Sequence, residues 1–129
     1  MAQKILLIED NPDLANLLSL YLRSGGYKEV LAKNSAQGIS KALSERPDLI
    51  ITDLFLPDMN AVDAANELRQ NPTTAGIPII VLTAMTAGDW KAQALKAGVA
   101  KFLVKPISRS HLLEVVRNLI QSTSLLTDR

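Results

Sequence analysis

Short apolar runs alternate with longer amphipathic segments along the chain, and no other feature of the sequence constrains the fold as strongly. Runs rich in isoleucine, leucine and valine are typical of strands that are buried on both faces of a parallel sheet. The segments between them begin with capping residues and carry apolar side chains at helical spacing. The sequence therefore predicts five successive strand–helix units.

Capping residues, glycines and prolines mark where these units begin and end. The predicted strands cover residues 4–8, 28–32, 49–52, 79–82 and 102–104. The predicted helices cover about residues 12–24, 35–45, 60–70, 87–97 and 108–121. Asp10 or Asn11 is expected to cap the first helix and Ser35 the second. Gly98 is placed to end the fourth helix in the left-handed conformation.

The fourth predicted helix, which starts at about Ala87, is rich in small residues and has a weak apolar pattern. We expect Ala92, Leu95 and Val99 to face inward. Trp90 is out of phase with these three positions. It is therefore predicted to be either part of a partner surface or a packed side chain, and the sequence does not separate the two.

The chain has 129 residues, no cysteine and a formal net charge of +1. This length suits one domain, expected at residues 1–122, with a short frayed tail at 123–129. No apolar run is long enough to span a bilayer, and no secretory signal is visible. The lack of cysteine agrees with a reducing compartment, so we expect a cytoplasmic location. Because basic and acidic residues are interspersed, protein partners are expected, and neither nucleic acid nor membrane.

Five strand–helix units with buried strands predict an α/β fold, a doubly wound parallel sheet with helices on both faces. In such sheets ligands bind outside the carboxyl ends of the strands. Glu9 and Asp10 follow the first predicted strand, Asp53 the third, Thr83 the fourth and Lys105 the fifth. These polar side chains should therefore share one edge of the sheet.

Three carboxylates in one pocket repel one another, so a positive charge is expected among them. Since only oxygen ligands are available, a hard cation such as Mg²⁺ or Mn²⁺ is the natural choice. A carboxylate beside such a cation can attack phosphorus to give an aspartyl phosphate. Asp53 is the predicted nucleophile, and Lys105 and the Thr83 hydroxyl are predicted to hold the phosphoryl oxygens.

Four segments together resemble the receiver domain of two-component response regulators, of the chemotaxis-regulator type, over about residues 4–121. They are Ile-Glu-Asp-Asn-Pro at 8–12, Thr-Asp-Leu-Phe-Leu-Pro at 52–57, Val-Leu-Thr-Ala at 81–84 and Phe-Leu-Val-Lys-Pro at 102–106. The resemblance implies a flavodoxin-like (βα)5 fold with five parallel strands in the order 2-1-3-4-5, as the chemotaxis members of this family have.

The resemblance also implies a role for each acidic residue. Asp53 would be the phosphoacceptor, and Asp10 and the backbone carbonyl of Phe55 would bind the metal beside it. Glu9 would act chiefly through metal-bound water. These residues make up the implied metal site.

At the other strand ends the resemblance implies a switch. Thr83 and Phe102 would move together, and Lys105 would contact the phosphoryl group beside a cis lysine–proline bond. Two positions depart from the family. Ala61 stands where glycine is common, which raises the expectation of a stiffer loop or a different turn. Phe102 stands where tyrosine is common, so it has no phenolic hydroxyl.

Several residues near the predicted site have weaker interpretations. The apolar side chains of Phe55 and Met85, each two residues after a site residue, are predicted to restrict the approach of water to the phosphoryl group. Asp58 and Asp63 are interpreted as turn and cap residues. His111, the only histidine, is expected on the surface and not as an internal phosphodonor.

The predicted function is that of a phospho-accepting receiver. It takes a phosphoryl group from a histidine kinase or a histidine phosphotransfer protein and signals to an unidentified protein target. It would not be a turnover enzyme. Whether it is a single-domain regulator or part of a longer protein stays open.

The alternatives are a receiver-fold scaffold that works without phosphorylation and a small aspartyl-phosphate phosphatase, which would have an acid in place of Phe55. A flavin or dinucleotide binder is disfavoured because Glu9 and Asp10 repel an unescorted phosphate.

Overall fold

The computed structural model describes residues 2–84 and 88–127, with side chains described as far as residue 122. Its strands are β1 (Lys4–Ile8), β2 (Lys28–Ala32), β3 (Leu49–Thr52), β4 (Ile79–Thr83) and β5 (Lys101–Val104). Its helices are α1 (Pro12–Ser24), α2 (Ser35–Glu45), α3 (Ala61–Arg69), α4 (Trp90–Lys96) and α5 (Arg109–Thr127). Strands and helices alternate along the chain, as predicted.

All neighbouring strands are parallel, and they form one sheet in the order β2-β1-β3-β4-β5. The predicted doubly wound fold and strand order are thereby confirmed. Ile8 at the end of β1 pairs with Thr52 at the end of β3, so these two strands finish level with each other. The order reverses between β1 and β3, which is where such sheets bind ligands.

Successive residues of the central strands pack into different layers, because side chains alternate across a strand. Leu6 and Ile8 of β1 lie in a core layer with residues of α2, α3 and α4. Ile5 and Leu7 lie in a second layer with residues of α1 and α5. The sheet is therefore covered on both faces, as its apolar strands require.

Side chains cap the first three helices. The Asn11 carboxamide oxygen accepts hydrogen bonds from the backbone N–H groups of Asp13 and Leu14 at 3.0 and 3.1 Å, which confirms one of the two predicted caps of α1. The prediction for α2 was wrong by one residue. Asn34 caps this helix by accepting from the Gln37 N–H at 2.8 Å, and Ser35 is the first helical residue.

α4 departs most from the prediction. The expected start at Ala87 lies outside the described residues, and the described helix begins at Trp90. Ala92 and Leu95 were expected to face inward but are exposed, whereas Ala94 and Val99 are buried. Trp90 lies one turn before Ala94 and packs against the same core layer. Because small residues give little periodic signal, the helix phase was placed incorrectly.

α5 continues to Thr127, so residues 123–127 are helical and not the frayed tail that the sequence suggested. The domain boundary at residue 122 stays a prediction. Ser108 accepts a hydrogen bond from the His111 N–H at 3.1 Å, as expected of a residue that precedes this helix. Among the described helices, none combines the length and the apolar character that a membrane span needs.

α2 lies unusually close to the carboxyl end of β1. A Cβ atom added at Gly38 of α2 would lie 2.3 Å from Cδ1 and 2.8 Å from Cγ1 of Ile8. Ile8 is buried and immediately precedes Glu9. The glycine therefore lets α2 pack directly against the strand end that carries the first two predicted site residues.

Candidate functional site

Three carboxylates meet where β1 and β3 end. The level ends of the two strands place Glu9 beside Asp53, and Asp10 follows in the turn that leads to α1. Glu9, Asp10 and Asp53 each offer one oxygen atom, and these atoms lie within 4.8 Å of one another. The structure thus brings together the three acidic side chains that the sequence predicted as a metal site.

Lys105 follows β5 and joins two of these acids. Its Nζ donates to Glu9 Oε1 at 3.0 Å and to Asp53 Oδ2 at 3.2 Å. The Glu9 side chain is only 3% exposed, and those of Asp53 and Lys105 are 17% and 18% exposed. The backbone of Lys105 is fixed at the end of β5, because its N–H donates to the Thr83 carbonyl at 2.9 Å.

Burial raises the pKa of Glu9, while hydrogen bonds from the Asn11 N–H and Lys105 oppose that rise. The second carboxylate oxygen of Asp53 accepts from the Leu54 N–H at 2.7 Å. Three acids and one ammonium leave an excess of negative charge when all are ionised. A divalent cation fits this donor set, which is made of oxygen ligands alone.

The residues of the implied switch lie on adjacent strands. Thr83 is buried at the end of β4 and pairs in register with Val104 of β5. Phe102, two residues earlier on β5, is half-buried and packs against the core layer that holds α4. The Lys105–Pro106 peptide bond is cis, as the resemblance implied. The two residues of the predicted switch therefore lie on paired strands, and Phe102 contacts the layer that includes α4.

The segment after Asp53, residues 54–60, is called the acceptor loop below. Its ends are joined because the Ala61 N–H donates to the Leu54 carbonyl at 2.7 Å, and Phe55 forms an antiparallel bridge with Asn60. Ala61 is buried as the first residue of α3 and does not have a positive φ. Alanine in place of the common glycine is thus accommodated without a left-handed turn.

The Phe55 side chain is 41% exposed and forms a T-shaped contact with Trp90, with ring centroids 5.0 Å apart and ring planes at 88°. This contact shows Trp90 as a packed side chain, one of the two predicted interpretations, although it is not fully buried. Met85, the other predicted water shield, lies outside the described residues. His111 is exposed on α5, as expected.

The role of Asp58 was missed by the sequence interpretation. Its carboxylate accepts hydrogen bonds from the N–H groups of Ser35 and Ala36 at 2.9 and 2.8 Å, at the start of α2. These two bonds lower the pKa of Asp58. Ser35 also donates its hydroxyl to the Met59 carbonyl at 2.8 Å. No local pattern reveals these contacts, because more than twenty residues separate their partners. Asp63 lies in the first turn of α3, as predicted.

Comparison with known proteins identifies relatives of this chain. The family described as the response regulator receiver domain matches residues 5–117. The DNA-binding response regulator MtrA of Mycolicibacterium smegmatis is 34% identical over 91% of this chain and 50% of the relative. RpaA of Synechocystis, described as a DNA-binding dual master transcriptional regulator, is 34% identical over 93% of this chain and 50% of the relative. The chain thus spans about half the length of these curated relatives.

Solved structures of similar fold include two receiver proteins. The receiver domain of the sensor histidine kinase PA1611 from Pseudomonas aeruginosa, with a magnesium ion coordinated in its active-site cleft, has a TM-score of 0.86 and 34% identity. The match covers 94% of this chain and 99% of that one. The chemotaxis response regulator CheY4 of Vibrio cholerae has a TM-score of 0.85 and 26% identity, covering 92% and 99%.

Proposed function

Since the chain belongs to the family of response regulator receiver domains, we propose that it accepts a phosphoryl group on Asp53 with the help of a divalent cation. The observation that carries this proposal is the position of Asp53 between two further carboxylates and an ammonium group. Such an arrangement both attracts a cation and offers a nucleophile.

In the proposed reaction one carboxylate oxygen of Asp53 attacks the phosphorus atom of the donor. The bond from phosphorus to the donor's histidine nitrogen breaks, and the electron pair leaves with that nitrogen. Asp10, Asp53 and the Phe55 carbonyl would hold Mg²⁺ or Mn²⁺ directly, and Glu9 would act chiefly through metal-bound water. When bound, the cation would neutralise the charge of the phosphoryl oxygens. The Leu54 N–H and the cation would fix the carboxylate in line with phosphorus.

Lys105 has two successive roles in this proposal. In the free protein its ammonium holds Glu9 and Asp53. Once Asp53 carries the phosphoryl group, the ammonium can contact a phosphoryl oxygen from the same position. The Thr83 hydroxyl would bind another oxygen, and Phe102 would follow Thr83, which alters the surface made by α4, β5 and α5.

The proposed donor is a histidine kinase or a histidine phosphotransfer protein, and the proposed output is altered binding to a protein target. The chain would catalyse its own phosphorylation and slow dephosphorylation without being a turnover enzyme. MtrA and RpaA are described as DNA-binding regulators, but this chain spans half of each. For the chain itself, protein partners and a cytoplasmic location stay predictions.

The test is incubation with acetyl phosphate and Mg²⁺, followed by intact-mass measurement. We expect one added phosphoryl group in the wild type and in Asp63→Asn, an exposed acid of α3, and none in Asp53→Asn. Chelation of the cation should abolish labelling. Equal labelling of wild type and Asp53→Asn would show that Asp53 is not the acceptor. An unlabelled wild type would instead favour a scaffold that acts without phosphorylation.

A further inference from the structure

We propose that Asp58 is a positioning residue for the metal and phosphoryl site, because it fastens the acceptor loop to the first turn of α2. This inference rests on the proposed function and deepens it. Asp58 does not belong to the acid cluster that would hold the cation. It would act through the loop that carries the Phe55 carbonyl.

Three hydrogen bonds join the acceptor loop to α2. Asp58 accepts two from backbone N–H groups, at Ser35 and Ala36, and the Ser35 hydroxyl donates to Met59. A carboxylate at this position is stabilised for two reasons. It satisfies two N–H groups that have no partner within the helix, and it faces the positive end of the helix dipole. The bonds hold the tip of the loop.

The two ends of the acceptor loop, called its neck below, are held separately. The Ala61 N–H donates to the Leu54 carbonyl, and Phe55 forms a bridge with Asn60. Neck and tip together leave the segment between them little freedom. Phe55 belongs to the neck and lies three residues before Asp58. The direction of its carbonyl therefore depends on both attachments.

α2 also supports the other half of the site. Gly38 packs without clearance against Ile8, the residue before Glu9 and Asp10. The same helix thus contacts the strand end that carries two acids and the loop that carries the carbonyl. Since Mg²⁺ demands nearly ideal octahedral geometry at short distances, the spacing between these two groups of ligands limits its affinity.

Loss of the Asp58 attachment should loosen the loop tip, which then keeps only the bond from the Ser35 hydroxyl to the Met59 carbonyl, without removing any ligand. Partners that orient metal ligands are commonly worth about 10- to 100-fold in affinity when they contact the ligand directly. Asp58 is three residues away from Phe55, and its replacement leaves the neck intact. We therefore expect a smaller loss of Mg²⁺ affinity, about 3- to 10-fold.

The experiment compares Asp58→Ala and Asp58→Asn with Asn34→Ala. The last variant removes the side-chain cap of the same helix but leaves all three bonds to the loop. Mg²⁺ affinity is measured by calorimetric titration, and labelling by acetyl phosphate is measured across a range of Mg²⁺ concentrations. Urea unfolding of each variant confirms that it is folded and reports its stability.

We expect Asp58→Ala to raise the Mg²⁺ dissociation constant about 3- to 10-fold and to raise the Mg²⁺ concentration for half-maximal labelling by the same factor. The labelling rate at saturating Mg²⁺ should stay within about twofold of wild type, because bound cation restores the ligand geometry. Asp58→Asn keeps one acceptor oxygen, so its Mg²⁺ dissociation constant should lie between those of wild type and Asp58→Ala. Asn34→Ala should lose stability and keep the wild-type Mg²⁺ affinity.

Unchanged Mg²⁺ affinity in a folded Asp58→Ala variant would overturn the proposal while leaving the proposed function intact. An equal loss of affinity in Asn34→Ala would overturn it as well, since α2 stability alone would then explain the effect. A wild-type protein that neither binds Mg²⁺ nor accepts a phosphoryl group would overturn the proposed function and this inference with it.

Discussion

Replacement of Lys105 by methionine tests the charge balance of the site, because it removes the ammonium and keeps an unbranched side chain that is shorter by one atom. Lys105 lies 3.0 Å from Glu9 and 3.2 Å from Asp53, and Glu9 is almost fully buried. Removal of one partner from a fully buried ion pair costs about 3–5 kcal/mol. Lys105 and Asp53 retain some exposure and Glu9 can take up a proton, so we expect about 2 kcal/mol at pH 8.

The loss of stability in Lys105→Met should grow as pH rises. Burial already raises the pKa of Glu9 above its ordinary value, and Lys105 is one of the groups that hold it down. Lys105→Met therefore raises the Glu9 pKa further. Below the ordinary pKa of glutamate, Glu9 is protonated in the folded and unfolded states alike, and the stability difference from wild type is small. As pH rises, the folded variant must keep a proton or hold an unpaired charge, and the difference grows.

Added Mg²⁺ should stabilise the Lys105→Met variant. The cation and the ammonium compete for the same carboxylates, so Lys105→Met is expected to bind Mg²⁺ several-fold more tightly and to regain stability when it is added. Its labelling by acetyl phosphate should nevertheless fall, since no ammonium contacts the phosphoryl group.

The assay is urea unfolding of wild type and variant between pH 5 and pH 8, with and without Mg²⁺. Lys101→Met, which replaces an exposed lysine at the start of β5, is the matched control and should be close to neutral. A stability difference that is equal at both pH values, or larger at pH 5, would refute the charge argument.

Three further predictions concern other parts of the site. Asp10→Asn should weaken Mg²⁺ binding at least tenfold and stabilise the metal-free protein, since one of three repelling carboxylates is removed; titration and urea unfolding measure the two effects. Gly38→Ala should destabilise the protein by about 1–2 kcal/mol in urea unfolding, because its new methyl group collides with Ile8, and Ile8→Val should reduce that cost. Beryllofluoride with Mg²⁺ should change the fluorescence of Trp90, and an identical change in Thr83→Ala would refute the proposed coupling.

Much of the fold could be predicted because its signals are local. The boundaries of β1, β3 and α1 follow from apolar runs and from a capping residue beside the helix start. α4 could not be placed in this way. Its alanines pack or face solvent with little difference in sequence pattern, and its orientation depends on the contact of Trp90 with Phe55 in a distant loop. Such a contact exists only once the sheet has formed.

The acid cluster could be predicted from topology, since the carboxyl ends of parallel strands share one edge. The pairing of Lys105 with Glu9 could not, because chain order fixes the edge and not the partner of each side chain. Asp58 shows the same limit. Its sequence surroundings are those of a turn residue, and its attachment to α2 depends on the packing of two segments more than twenty residues apart.

The bond between Lys105 and Glu9 joins two residues that are 96 positions apart. Pairing of β1 with β3 is enough to gather all three acids, but the compensating ammonium arrives only when β5 joins the far side of β4. In a partly folded chain that has paired β1 with β3 but not β4 with β5, the three carboxylates repel one another without a compensating charge. Bringing Lys105 to Glu9 also carries an entropic cost, because it closes a long loop. A divalent cation can compensate the charge earlier than Lys105 can. The ion proposed for signalling is therefore also expected to speed the refolding of this chain.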